Sequence, residues 1–209
     1  MSAGMPILIG MFDSPFVRRV AISMTVLRLG FDHRNWSTGR DAALIRAYNP
    51  LGRVPTLVLD DGEVLFESAA VLDHLDQLAG PERALLPAGG AARRQALQIA
   101  ALATGAADKA MLMVYERVYR PEDVRHGPWL QRCREQVEGA LAALEAHCIE
   151  RVGAQWLVGD RMTQADITFA CACTFVREAV PFDLAPYPAD AGYTNWELSV
   201  DRANAARRA

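Results

Sequence analysis

Two serines, Ser14 and Ser68, stand where a side chain can do chemistry. Ser14 precedes Pro15, at the point where an apolar run, residues 6–10 (PILIG), gives way to a helical pattern. A hydroxyl at such a turn lies where a helix N-terminus aims its free N–H groups, and together they can steady an anion. Ser68 opens another helical pattern directly after the acid Glu67. Its backbone N–H and hydroxyl can face a carboxylate, with the helix dipole favouring the negative charge, while Glu67 can accept from an ammonium group. Plainer readings stand beside these. Either serine also serves as a helix cap, and Glu67 as an ordinary first-turn acid.

The thiols and imidazoles are placed less suggestively. Cys133, Cys148, Cys171 and Cys173 leave everything before Cys133 without a thiol. Cys171 and Cys173 have no partner pair at zinc spacing, and His33, His74, His126 and His147 are scattered, so no metal site is expected. A secreted disulfide scaffold would be shorter and denser in cysteine. Cys133, Cys148 and Cys171 fall on apolar helical stripes as small core residues, whereas Cys173 lies off its stripe and is expected to be partly exposed. The chain has 209 residues, 51% apolar and 22% charged, with net charge −3. That excludes disorder and a basic field for nucleic acid. The opening MSAGMPILIGMF carries no basic segment, and no run approaches the roughly 18 uninterrupted apolar residues of a membrane span. A soluble cytoplasmic protein, with neither membrane nor nucleic acid as partner, is the expectation.

The elements that must position these residues change grammar near residue 87. Strands are expected over residues 6–10, 31–36, 54–59 and 63–66, and helices over 16–29 (ended by Gly30), 42–48 and 68–78. Asp60-Asp61-Gly62 between two apolar runs predicts a hairpin. Pro55 inside the third strand needs an edge, a bulge or a cis bond. After Pro87-Ala88-Gly89-Gly90 the strand signals stop. Leu97, Ala100, Thr104, Ala107, Met111, Val114 and Val118 keep helical spacing up to Pro121. Residues 128–152 form a second helix, striped by Leu130, Cys133, Val137, Leu141, Leu144 and Cys148. A third begins at Thr163-Gln164-Ala165-Asp166, with capping-box spacing, and buries Ile167, Ala170, Cys171, Thr174 and Phe175. The order βαβαββα followed by helices predicts an α/β sheet domain plus an all-α domain.

Four segments in this order carry a resemblance: residues 12–20 (FDSPFVRRV), 49–57 (NPLGRVPTL), 66–75 (FESAAVLDHL) and 156–167 (WLVGDRMTQADI). Together they resemble the cytosolic glutathione transferase family over residues 6 to 200. The resemblance implies a thioredoxin-like glutathione-binding domain over residues 1–80, a linker over 81–90, and a helical bundle over 91–209 that supplies most of the second-substrate pocket. It implies that Val54, before a cis Pro55, pairs its backbone with the cysteinyl part of glutathione. Glu67 and Ser68 would hold the γ-glutamyl end, and Arg53 and, more loosely, Arg40 would meet a glutathione carboxylate. Ser14 would be both a glutathione contact and the catalytic residue. Members are usually homodimers that use glutathione as co-substrate without a cofactor.

Magnitudes suit Ser14. A thiol with a pKa of about 8.5 is only a few per cent thiolate at pH 7, and lowering it by about two units needs roughly 2.7 kcal/mol. One hydrogen bond to a charged group supplies about 1.5–3 kcal/mol and a helix N-terminus about 0.3–1. Serine in an S-P-F context is similar to tau-like members, whereas omega-like members carry cysteine there and zeta-like isomerases a Ser-Ser-Cys pattern. A mixed disulfide with glutathione has no thiol to form on before Cys133. Asp13 would oppose a thiolate if it pointed inward. Met111, Tyr115 and Tyr119, recurring every four residues, read either as core or, with Phe12, as the lining of a pocket for a flat or apolar electrophile. The implied function is a transferase acting on a small hydrophobic electrophile or, as a peroxidase, on an organic hydroperoxide. The alternative is a non-catalytic interaction or regulatory protein on the same scaffold.

Overall fold

In the computed structural model, which describes residues 4–151, 154–180, 182 and 186, strand β1 (Ile7–Ile9) runs through the middle of a four-stranded sheet. Helix α1 (Pro15–Val26) leads to β2 (Asp32–Arg34), which pairs parallel to β1 in register Ile7 with Asp32. Short helix α2 (Ala42–Arg46) precedes β3 (Thr56–Val58), which lies antiparallel to β1 on its other side, and β4 (Val64–Phe66) closes the order β2-β1-β3-β4. Leu8, Ile9 and Leu57 are buried, as a strand covered on both faces requires. Val17, Val20 and Met24 of α1, and Val71 and Leu75 of α3 (Ser68–Ala79), complete this core. The Asp60-Asp61-Gly62 turn joins β3 to β4, with Gly62 at φ 90° and its N–H donating to the Leu59 carbonyl.

Two local expectations resolve into specific devices. The Val54–Pro55 bond is cis, and the ladder of β3 begins only at Thr56, so Pro55 never has to donate within it. Helix α1 does not run to Leu29. Arg28 takes a left-handed φ of 58°, its N–H reaches the Thr25 carbonyl, and Leu29 N–H reaches the Met24 carbonyl. This is a Schellman closure built on an arginine rather than on Gly30.

The chain divides between Ala88 and Gly89 into two compact units. The second is helical: α4 (Gly90–Tyr119), a 3₁₀ turn (Glu122–Val124), α5 (Gly127–Glu150) and α6 (Gln164–Ala179). Val152, the expected end of α5, and residues 187–209 of the expected helical domain lie outside the described residues. On α4 the buried face is Ala96, Ile99, Ala103, Ala106, Ala107 and Ala110, while Leu97 and Val118 are exposed. The expected stripe is therefore rotated. Alanines let α5 and α6 approach most closely, so the smallest face is buried and the larger apolar residues flank it. By length and composition α4 could cross a membrane, yet that alanine face packs on α5 and α6 as a core helix does.

Helix α6 corrects a second expectation. Every residue from Gln164 to Val176 is buried, so Cys173, at 5% exposure, is inside rather than partly exposed. A helix covered on all sides has no off-stripe position. Cys133 and Cys171 are buried and Cys148 half-buried, and burial pushes the Cys133 thiol up. Among the described residues no group of three metal-ligating side chains comes together.

Candidate functional site

Ser14 is the N-cap of α1, with Pro15 at the first helical position, where a missing N–H is harmless. The half-buried Ser14 Oγ accepts from Val17 N–H at a long 3.4 Å. No acceptor for the Ser14 hydroxyl proton lies within bonding distance among the described residues. The loop before it is pinned. His33 Nε2 lies 2.7 Å from the Gly10 carbonyl, its ring stacks on Phe12 with centroids 3.9 Å apart, and Arg18 Nε donates to the Phe12 carbonyl at 2.8 Å. Asp13 is exposed.

Gly10 decides how closely two turns approach. At φ 135° it has no side chain where a Cβ would come within 2.5 Å of Val17 Cγ2 and 2.8 Å of Val54 Cβ. The end of β1, the first turn of α1 and the Val54–Pro55 turn therefore meet at one point. Buried Asn49 shapes the approach to Pro55: its Nδ2 donates to the Arg53 carbonyl at 2.9 Å and to Thr56 Oγ1, and its Oδ1 accepts from Leu51 N–H at 3.0 Å. No turn or loop hydrogen bond involves Val54 N–H or C=O among the described residues. Half-buried Val54 thus offers a backbone edge beside Ser14's helix.

The start of α3 is the second anchor. Glu67, at its N-cap, is held at φ 68°, a region L residues avoid, and makes no side-chain cap. Its carboxylate is 3.3 Å from Arg53 Nη1, with both side chains more than half exposed. Ser68 is buried at 4% exposure, and its Oγ accepts from Arg19 Nη2 at 2.7 Å.

Within the sheet unit Arg53 thus pairs with Glu67, Val54 and the first turn of α1 both approach Gly10, and Arg19 ties α1 to Ser68. Arg40 does not join them: it binds Asp41 at 2.8 Å and the Asn35 carbonyl within its own loop. That pairing holds the Asp41 carboxyl below its usual range and raises the Arg40 guanidinium, the arginine side chain being exposed and the aspartate half-buried. In the helical unit Tyr115 and Tyr119 are exposed, their rings edge-to-face at 5.3 Å, and Met111 is half-buried, so the tyrosines are not core.

Gly10, His33, Asn49 and Arg19 are the residues the sequence motifs did not single out. Arg19 had one local signal. The uncharged run of residues 20–24 (VAISM) marks a helix covered on more than one side, which puts the preceding arginine under cover.

The chain matches the model of the glutathione S-transferase N-terminal domain over residues 8–83 and that of the glutathione S-transferase C-terminal domain over residues 127–198. It is 30% identical to the GST-like protein YibF of Escherichia coli (strain K12) over 81% of each chain. It is also 30% identical to elongation factor 1-gamma of Carassius auratus over 78% of this chain, but only 34% of that protein's length. Among solved structures it is similar to a glutathione S-transferase of Methylobacterium radiotolerans in complex with glutathione sulfonate. The TM-score there is 0.87 and the identity 29%, covering 97% of this chain and 94% of that one.

Proposed function

The chain belongs to the glutathione S-transferase family, and from that premise we propose that it binds glutathione and stabilises its thiolate for attack on a hydrophobic electrophile or an organic hydroperoxide. The observation that carries the reading is Ser14. Its hydroxyl proton lacks an acceptor at the first turn of α1, where helix N–H groups also favour an anion. A thiolate placed there receives one charge-assisted hydrogen bond and part of a helix dipole, enough to lower its pKa by about two units.

The remaining parts distribute around that thiolate. The free backbone edge of Val54 suits the cysteinyl peptide of glutathione. The start of α3 suits the γ-glutamyl end, with Ser68 and helix N–H groups on the carboxylate and Glu67 on the ammonium. Arg53 neutralises Glu67 and is within reach of a second carboxylate, while Arg40, engaged by Asp41, is the weakest member of the set. Tyr115 and Tyr119, exposed on α4, are assigned to the apolar co-substrate. The working form is assigned as a cytoplasmic homodimer that uses glutathione as co-substrate and needs no further cofactor, and sedimentation tests the dimer.

Catalysis on this reading is positioning plus anion stabilisation. The second reading, a non-catalytic interaction protein, is favoured by the exposed Tyr115–Tyr119 pair and by the similarity to an elongation factor subunit. Calorimetry with glutathione, paired with ultraviolet titration of the bound thiol in wild type and Ser14→Ala, separates the two. Micromolar-to-millimolar binding with a thiol pKa near 6.5, returning towards 8.5 in Ser14→Ala, is expected of the enzyme. Absence of glutathione binding sinks the transferase reading, and binding with an unshifted thiol leaves only the interaction protein.

A further inference from the structure

Arg19 is a charged residue at 7% exposure in the core of the sheet unit, and its guanidinium donates to another buried group, the Ser68 hydroxyl. We propose that Arg19 is a positioning residue for glutathione: by donating to Ser68 Oγ it forces the serine's own proton outward, onto the α-carboxylate of the γ-glutamyl group. This rests on the reading above that places that carboxylate at the start of α3.

The argument is one of donors and acceptors. A serine hydroxyl has one proton and two lone pairs, whereas a guanidinium has only protons. With Nη2 at 2.7 Å, Ser68 can be nothing but the acceptor in that pair. Its proton is then left to find an acceptor, and none lies within bonding distance among the described residues. A buried hydroxyl in that state is incomplete. The N–H groups of the first turn of α3 are likewise uncapped by a side chain, since Glu67 makes no cap. A carboxylate arriving there completes both. It also meets a hydroxyl already polarised by a cation, which strengthens the new bond through cooperativity.

The test is calorimetry on the full chain with two ligands: glutathione, and its analogue lacking the γ-glutamyl α-carboxylate. In Arg19→Gln the Kd for glutathione is expected to rise about tenfold, equivalent to about 1.4 kcal/mol, while the Kd for the analogue changes by less than about twofold. Arg19→Lys, which keeps a buried cation, is expected to recover most of the loss and is the variant to use if Arg19→Gln does not fold. In Ser68→Ala the Arg19 substitution is expected to have no further effect on glutathione. A structural role alone would weaken both ligands alike. Equal losses for the two ligands, or additive losses in the double variant, overturn the role of Arg19 while leaving glutathione binding intact. Failure of the wild type to bind glutathione overturns it together with the transferase reading, so the two failures are distinguishable.

Discussion

Among the described residues three helices start at hydroxyl-bearing residues, and they complete those hydroxyls differently. At the start of α6 the Thr163 and Asp166 capping groups are bonded internally. The buried Asp166 carboxylate accepts from Thr163 N–H at 2.8 Å, Thr163 Oγ1 at 2.9 Å and Leu157 N–H at 2.9 Å, and Thr163 Oγ1 in turn accepts from Ala165 N–H. At α1 and α3 the corresponding groups are left open. Ser14 accepts one long bond, Ser68 accepts from Arg19, and neither proton has an acceptor among the described residues. The same local chemistry therefore builds a closed joint in the helical unit and open ends in the sheet unit. Open ends in a folded protein point to something that arrives from solution.

Breaking the closed joint has the largest expected effect, and it falls on stability alone. Asp166→Ala removes the acceptor of three donors at a site 1% exposed. Buried donors left without a partner cost about 1–3 kcal/mol each, partly relieved by water. A loss of about 3 kcal/mol is expected, read as a lower urea midpoint, with the thiol titration of bound glutathione unchanged. A change in that titration would mean α6 is no mere joint.

Breaking an open end reverses the pattern. Ser14→Ala gives up only the 3.4 Å cap bond, so stability should fall by about 1 kcal/mol or less. Thiolate stabilisation of about 2.7 kcal/mol is lost, and kcat/KM should fall about 50-fold at pH 6.5 and about 100-fold at lower pH. The sign of the pH dependence follows. The wild-type thiolate forms as pH rises through about 6.5 and the variant's through about 8.5, so the deficit is full at low pH and closes above about pH 9. A deficit constant with pH would indict substrate positioning instead.

The closed joint was readable in the sequence and the open ends only half so. Thr163 and Asp166 are three apart, and a capping box is a local rule that needs no knowledge of the rest of the fold. The Asp60-Asp61-Gly62 hairpin and the strands around it are local in the same sense. Ser14, too, was marked by its neighbour Pro15. Arg19 and Ser68 are 49 positions apart, and no periodicity announces that pairing. Neither does any sequence signal place Arg28 in a left-handed cap, because glycine at position 30 offers the more obvious stop. The rotation of α4 failed for the opposite reason. The pattern weighs large apolar residues, while close packing selected alanine.

The smallest effect expected concerns Glu67, where the two kinds of helix start are set against each other within one residue. Its φ of 68° costs roughly 1–3 kcal/mol for a non-glycine residue, and its ion pair with Arg53 is too exposed to return more than about 0.5 kcal/mol. Glycine takes such a φ without strain but adds about 0.5–1 kcal/mol of chain entropy to the unfolded state. At their mid-range values the terms leave Glu67→Gly more stable than wild type by roughly 0.5–1 kcal/mol, visible as a higher urea midpoint. If the carboxylate is kept for the ammonium of glutathione, the same variant should bind glutathione about three- to tenfold more weakly, and the loss should shrink as salt screens the charge. A variant both more stable and equally tight would place Glu67 with the closed joints, as a strained cap with no ligand. Stability gained while affinity is lost is what an open end predicts, because the strain then holds a group that only the ligand completes.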